Sequence, residues 1–328
     1  MGNNQIYLAI LKISKKTGIP VKKIQDMLYA LSSGESVENN QLARTIGVSR
    51  NALNQLKLHL SNYLRRTSKY TQLSTEALVD IKEMFSNHQY ILEEALFDLL
   101  ENGQYEENME FLRRIHKFRP SPNREYDQFA ATIETTARRA ALLKFFGDID
   151  GKRILFLGDD DFTSIAIARY LTAEKIAVFD IDERVLDNIG EISAKQNFGI
   201  KTVRYDARKG FPKELSSRYD VVFTDPPYTS EGVRLFTSRA VDALDVKNQS
   251  ARLYLCYGNS DRAKERFLPI YYVLADSGLM TRWIFDKFNR YNGAESVGNS
   301  SSLFICDVTP KTKPLIHGNY DRPIYTHN

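Results

Sequence analysis

Residues 158–164 read Gly-Asp-Asp-Asp-Phe-Thr-Ser. Three adjacent carboxylates repel one another, so at least one must hold its proton more tightly than an isolated side chain does. A group of that kind can take a proton from an amine while its neighbours hold positive charge on the same ligand. A strand-to-helix turn at such a place ordinarily carries glycines, which let backbone amides approach a dinucleotide or S-adenosylmethionine. Here Asp159, Asp160 and Asp161 stand in their place, and an anionic group would meet like charge at about 1 kcal/mol or more per close pair. A cationic ligand is favoured instead. The helix macrodipole accounts for one or two acids at about 0.3–1 kcal/mol each, but not for three in a row. Further acids follow at regular intervals. Asp180 and Asp182 come about 20 residues past Gly158, where an acid grips ribose hydroxyls, and either one can be that ligand. Asp206 in Tyr-Asp-Ala-Arg is placed to meet an adenine amino group. In Asp225-Pro226-Pro227-Tyr228 the two prolines impose a rigid, extended turn without free amides. The Asp225 carboxylate can then accept from a substrate amine while Tyr228 packs against its stem. Tyr126-Asp127-Gln128, just upstream, is either a substrate lid or the approach to a helix capped near Thr132.

Those acids need a scaffold that brings them to one edge. Arg153–Leu157, Ile176–Phe179, Thr202–Tyr205, Val221–Thr224 and Leu253–Tyr257 are short apolar runs, each ending in Gly, Asp or both. Helical stretches at Ser164–Leu171, Glu183–Gln196 and Glu231–Leu244 alternate with them. Strand–helix alternation predicts a parallel sheet with right-handed crossovers and helices on both faces. Met280–Phe285 and Ser302–Val308 bring the count to seven strands. The expected fold class is α/β, a Rossmann-like sheet of the S-adenosylmethionine type, whose ligands bind outside the carboxyl ends of the strands.

The head of the chain is different. Ile6–Ile13 and Val21–Leu31 are amphipathic, separated by the breaker Gly18-Ile19-Pro20. Residues 39–53 then give a helix, a turn at Gly47 and a second helix capped by Ser49, the helix-turn-helix pattern. In a DNA-binding version Arg50, Asn51 and Asn54 would face the bases; otherwise this is a small helical interaction domain. Residues 1–72 hold eleven Lys/Arg against three Asp/Glu, and residues 73–119 hold five against ten. Such a change of sign suggests boundaries near 72 and 120. The expected domains are a winged-helix-like head (1–72), a helical connector (73–119, with Ala77, Ile81, Phe85, Ile91, Leu92, Leu96 and Leu99 on its apolar face) and the Rossmann-like body (120–328). The tail beyond Pro310 reads as irregular, a flap over the site or disorder.

Composition sets the outer bounds. The 328 residues are 42% hydrophobic and 26% charged, which excludes disordered, collagen-like and fibrous classes. No apolar run approaches the roughly 18 residues of a membrane span, and the first residues show no signal-type cleavage pattern. Cys256 and Cys306 alone make neither a disulfide framework nor a four-ligand zinc site. A soluble, cytoplasmic homodimer without membrane contact is the expectation. A net charge of +4 does not by itself point to nucleic acid. An oxygen-only metal site would suit magnesium or calcium, but with no His or Cys near the acids, none is expected.

The ordered set Tyr-Asp-Gln, Gly-Asp-Asp-Asp, Phe-Asp-Ile-Asp and Asp-Pro-Pro resembles the branched-chain polyamine synthases, the bis(aminopropyl)spermidine synthases. The resemblance spans about residues 120–310 and reaches the head, since that family carries an N-terminal winged-helix-like domain. It implies transfer of an aminopropyl group from decarboxylated S-adenosylmethionine, a co-substrate rather than a permanent cofactor, to the internal amine of spermidine, with release of methylthioadenosine. Carried over, Asp159, Asp160 and Asp161 line the amine site with Asp159 as base, joined in catalysis by Asp225. Asp180, Asp182, Asp206, Pro226, Pro227, Tyr228, Tyr126, Asp127 and Gln128 bind substrate, and Gly158 approaches the co-substrate. Where the family has Glu after the prolines this chain has Tyr228, which opens the choice of acceptor.

The chemistry agrees with that assignment. A decarboxylated donor carries a sulfonium and an ammonium and no carboxylate, and a polyamine acceptor is polycationic. Asp-Pro-Pro-Tyr also resembles the motif of methyltransferases acting on exocyclic amines of bases, so a DNA or RNA amino-methyltransferase is the alternative. A third reading is a regulator that senses polyamines without turning them over.

Overall fold

The computed structural model of the chain describes residues 2–17, 19, 21–86, 90, 92, 103–248, 250–258, 264–293 and 299–326. It divides into two compact units. One comprises Met1–Leu99 with Asn259–Glu265 and Asn292–Ser300; the other comprises Leu100–Gly258, Arg266–Tyr291 and Ser301–Asn328.

In the first unit, α1 (Gly2–Thr17), α2 (Val21–Ala30), α3 (Asn39–Ile46), α4 (Arg50–His59) and α5 (Thr75–Ser86) accompany a three-stranded sheet of β1 (Val37–Glu38), β2 (Leu64–Arg66) and β3 (Tyr70–Leu73) in the order β1-β3-β2. Gly47 closes α3 in the left-handed conformation, φ 62°, and its N–H donates to Ala43 O and Arg44 O. Ser49 caps α4 by accepting from the Ala52 amide. Leu42, Ile46, Leu53, Leu56 and Ile81 share one apolar core. Phe85 packs against that core from its rim. Ile91, Leu96 and Leu99 lie outside the described residues.

The second unit holds α6 (Gly103–Ile115), α7 (Ile133–Phe145), β4 (Arg153–Leu157), α8 (Thr163–Ala168), β5 (Lys175–Asp180), α9 (Glu183–Gln196), β6 (Lys201–Arg204), β7 (Val221–Thr224), α10 (Ser230–Ala243), β8 (Arg252–Gly258), α11 (Leu268–Asp276), β9 (Met280–Arg290) and β10 (Ser300–Asp307). The seven strands order as β6-β5-β4-β7-β8-β10-β9. β4 through β8 pair in parallel, and β10 runs antiparallel to β8. β4 and β7 are apolar almost throughout because both of their faces are covered. The chain reverses its direction of sheet growth between β4 and β7, the switch point at which ligands of such sheets bind.

Two elements depart from the expected reading. The ninth strand runs on to Arg290, so that Lys287–Asn289 turn inward and are buried. Among the described residues the tail has no helix or strand, yet it is anchored rather than loose. Arg239, itself fully buried, donates to Ile316 O and Gly318 O, the Tyr320 amide donates to Arg208 O, and Ile324 and Tyr325 are buried in the core.

Candidate active site

β4 delivers the turn that begins the site. Gly158 has φ +77° and its amide donates to Phe179 O, continuing the β4–β5 ladder into the turn. A side chain is strained at that φ, hence the glycine. The three acids that follow meet three fates. Asp159 turns back onto α8, its carboxylate accepting from the amides of Thr163 and Ser164 at 2.8 and 3.0 Å. Asp161 is buried against two guanidiniums, Arg119 at 2.5 Å and Arg139 at 2.9 Å, and also accepts from the Ala131 amide. Only the Asp160 carboxylate faces open space; among the described residues no hydrogen bond reaches it, although its backbone oxygen accepts from Arg119.

Two adjoining cavities open at this edge. The first, about 550 Å³ including its open mouth, is walled by Leu157, Gly158, Phe179, Ile181, Tyr205, Ala207, Phe236 and Tyr325. The second, about 320 Å³, is lined by Asp127, Phe129, Pro226, Tyr228 and Tyr291. Tyr126, Gln128, Asp160, Asp225 and Pro227 belong to both, and Asp180 to the first.

The electrostatics follow from what faces each acid. Burial pushes Asp160 well up, and Asp161 adds to the push while Arg119 opposes it. Burial likewise raises Asp225, against Arg139 at 2.9 Å and the donated hydroxyl of Tyr291 at 2.6 Å. Asp180 accepts from the amides of Asp159 and Asp182, yet burial carries it to about 6. Asp159 is carried to about 8 by burial, over the opposition of its two amides. Counting carboxylates Asp160, Asp161 and Asp225 against Arg119 and Arg139, the cluster lacks one positive charge when ionised.

The expected site residues are not all brought to the cavities. Asp159 lines neither cavity, its oxygens accepting from helix amides, and Asp160 is the acid of the triplet that lines both. Asp161 lines neither of the two cavities, and two arginines and an amide claim its carboxylate. Asp182 is gripped by Arg184 at 2.6 and 2.9 Å and receives Gln128 Nε2 at 3.2 Å. Asp206 is gripped by Arg208 at 2.8 to 3.1 Å and lines neither cavity. Both carboxyls are held below the usual range: burial pushes them up but the guanidiniums outweigh it. The structure brings Asp160, Asp180, Asp225, Pro226, Pro227, Tyr228, Tyr126, Asp127, Gln128 and Gly158 to the cavities. Asp127 also accepts from the Thr326 amide at 2.9 Å, which ties the tail beside them. The Tyr228 hydroxyl donates to Asp225 at 3.3 Å.

Arg139 is the residue that motif reading missed. It is 1% exposed and fans out to four partners: Asp161, Asp225, Asn289 and Tyr291. A signal was present. On α7, Thr135, Thr136, Arg139, Leu142 and Leu143 fall at helical spacing, so an arginine occupies the buried stripe. Tyr291, Asn289 and Tyr325 gave no such signal, because they reach the site from distant sequence.

A family model described as the branched-chain polyamine synthase A C-terminal domain matches residues 107–316. An uncharacterised protein of Methanocaldococcus jannaschii is 32% identical over 99% of this chain and 83% of its own length. The N(4)-bis(aminopropyl)spermidine synthase of the same organism is 35% identical, over 57% of this chain and 53% of that enzyme. The chain thus matches about half the length of that named relative. Among solved structures, the branched-chain polyamine synthase of Thermus thermophilus, in complex with N4-aminopropylspermidine and 5'-methylthioadenosine, superposes with a TM-score of 0.68. It covers 99% of this chain and 98% of that one at 19% identity, a likeness of fold.

Proposed function

The chain belongs to the branched-chain polyamine synthase family, and from that premise we propose that it moves the aminopropyl group of decarboxylated S-adenosylmethionine onto the internal amine of spermidine or a related linear polyamine. The observation that carries this is the pair of cavities sharing Asp160 and Asp225. One is lined largely by aromatic and apolar residues with the acid Asp180 among them, as a nucleoside requires; the other is lined by Pro226, Tyr228 and Tyr291 beside the shared acids, as an amine requires. Two substrates bound there would meet across the shared acids.

The step needs little beyond alignment and a proton acceptor. The lone pair of the acceptor's secondary amine attacks the aminopropyl carbon bonded to sulfur. The carbon–sulfur bond breaks, its electrons neutralise the sulfonium, and methylthioadenosine leaves. The proton of the new ammonium passes to Asp160, the carboxylate on the cavity with no donor of its own. Holding both partners in line supplies most of the rate in a displacement of this kind. Arg139 pairs with Asp225 and Asp161 and not with Asp160, so the acid without an ion-pair partner is left where the cations arrive. Asp159 serves by fixing the turn onto α8.

Mass spectrometry of the full chain with spermidine and either the decarboxylated or the intact donor tests the reading. Growth of the polyamine by aminopropyl units with the decarboxylated donor alone is the expected result. Transfer of methyl groups from the intact donor, or no product from either, would overturn it.

A further inference from the structure

The helix-turn-helix of the first unit lies in a stretch with no acid at all. From Asn39 to Thr75 there is not one Asp or Glu, although the chain as a whole has 41. The same stretch carries Arg44, Arg50, Lys57, Arg65, Arg66 and Lys69 and contains both helices and the β2–β3 hairpin. Few acids flank it: the exposed Glu35 and the half-buried Glu38, the latter paired with Tyr70 across the sheet, precede the stretch, Glu76 follows it within electrostatic reach of Arg65, Asp26 is fully buried, and Asp80 and Glu83 belong to α5.

The stretch is also rigid. α4 buries Ala52, Leu53, Leu56 and Lys57, which turns Arg50, Asn51, Asn54 and Leu58 outward. The Asn39 side chain accepts from Lys57 Nζ at 3.0 Å and from the Thr71 hydroxyl at 2.7 Å, and donates to Ser68 O at 2.9 Å. The Asn39 amide donates to Lys69 O. One residue on, Asn40 accepts from Arg50 and from Arg44. Two adjacent asparagines therefore lock the hairpin tip, the start of α3 and the outward helix α4 into one surface, with Arg65, Lys69 and Tyr70 exposed on its hairpin.

We propose that this surface binds double-stranded DNA, with α4 in the major groove and the hairpin on the flanking backbone. The residue types match the task. Arginine and asparagine form bidentate pairs with guanine and adenine edges, and an exposed leucine can meet a thymine methyl. Lysine and arginine on the hairpin neutralise phosphates, and no carboxylate on the stretch opposes them. The wide major groove of B-form DNA admits a helix, whereas the deep, narrow groove of A-form RNA does not.

The test uses the full chain and a fluorescent 30-base-pair duplex DNA of random sequence, titrated between 50 and 200 mM salt. With about four phosphates contacted, affinity falls about 10²-fold over that range. Arg50→Glu weakens binding, and Lys69→Glu weakens it and reduces the salt slope by about one. Lys82→Glu on α5 changes net charge equally and leaves binding intact. Circular dichroism melts establish that the variants fold, and their polyamine products, read by mass spectrometry, match those of the unaltered chain. No binding at 50 mM salt overturns the proposal. So does an equal loss in Lys82→Glu, which would reduce it to net charge, and so does tighter binding of an RNA duplex of the same length.

Discussion

Along the carboxyl edge of the seven-stranded sheet, the acids after β5 and β6 differ from those after β4 and β7 in what faces them. Asp182 and Asp206 each have an arginine two residues on, and each is held in a chelate that keeps it ionised. Asp160 and Asp225 are followed by no nearby cation in sequence; burial raises both, and the positive charge that steadies Asp225 comes from Arg139 on a separate helix. The first pair is self-sufficient and shapes the edge. The second is left short of positive charge, which a polycationic substrate can supply. An acidic motif is thus not one site but a mixture of anchors and open positions, separated by their partners.

The largest effect that would sharpen this contrast is in Asp160→Asn. Turnover should fall about 10²- to 10⁴-fold, with the donor KM changed little, measured by chromatography of polyamine products. Retained turnover in Asp160→Asn together with loss in Asp159→Asn would reverse the roles of the two neighbours. Next comes Arg139→Met, which leaves Asp225 without a cation and Asp161 with Arg119 alone. It should cost about 3–5 kcal/mol in denaturant unfolding, and a loss below about 1 kcal/mol would show that the buried guanidinium contributes little to stability.

Asp159→Ala should remove about 0.5–2 kcal/mol, the usual range for a lost helix-end acceptor, without abolishing transfer. Asp206→Asn is the smallest, within about 1 kcal/mol, because Arg208 is partly exposed.

The two sets of acids also respond to pH in opposite directions. Asp159 and Asp180 have folded values of about 8 and about 6, above the 3.8 of a free carboxyl. The folded chain therefore binds more protons than the unfolded one in that window. Their contribution is fully present below about pH 4 and is lost as pH rises through 6 and 8. Asp182, Asp206 and Asp220, the last lowered to about 2, contribute above pH 4 and lose that contribution on acidification. Thermal midpoints of the substrate-free chain should fall between pH 5 and 8, and added spermidine should reverse the fall. A midpoint that rises steadily over that range would break the distinction.

Much of this was legible in the residues. The apolar runs ending in Gly or Asp identify the parallel strands and their order of function, because both properties arise from local pattern: burial on two faces and ligand contact at the carboxyl end. The helix-turn-helix was legible for the same reason, in Gly47 and Ser49. The fates of Asp159, Asp160 and Asp161 were not. Three identical neighbours are told apart only by which way the turn at Gly158 points each one, and by Arg119 and Arg139 arriving from 42 and 22 residues away.

The sequence alone determined that an acidic, cation-seeking edge exists and which strands carry it, since composition and periodicity are properties of neighbours along the chain. Tertiary structure alone decided which carboxylate stays open, because a side chain's charge state is set by desolvation and by partners in space. Arg139 and Tyr291 meet Asp225, and Asn289 meets Arg139, only once α7 and β9 have packed beside the sheet.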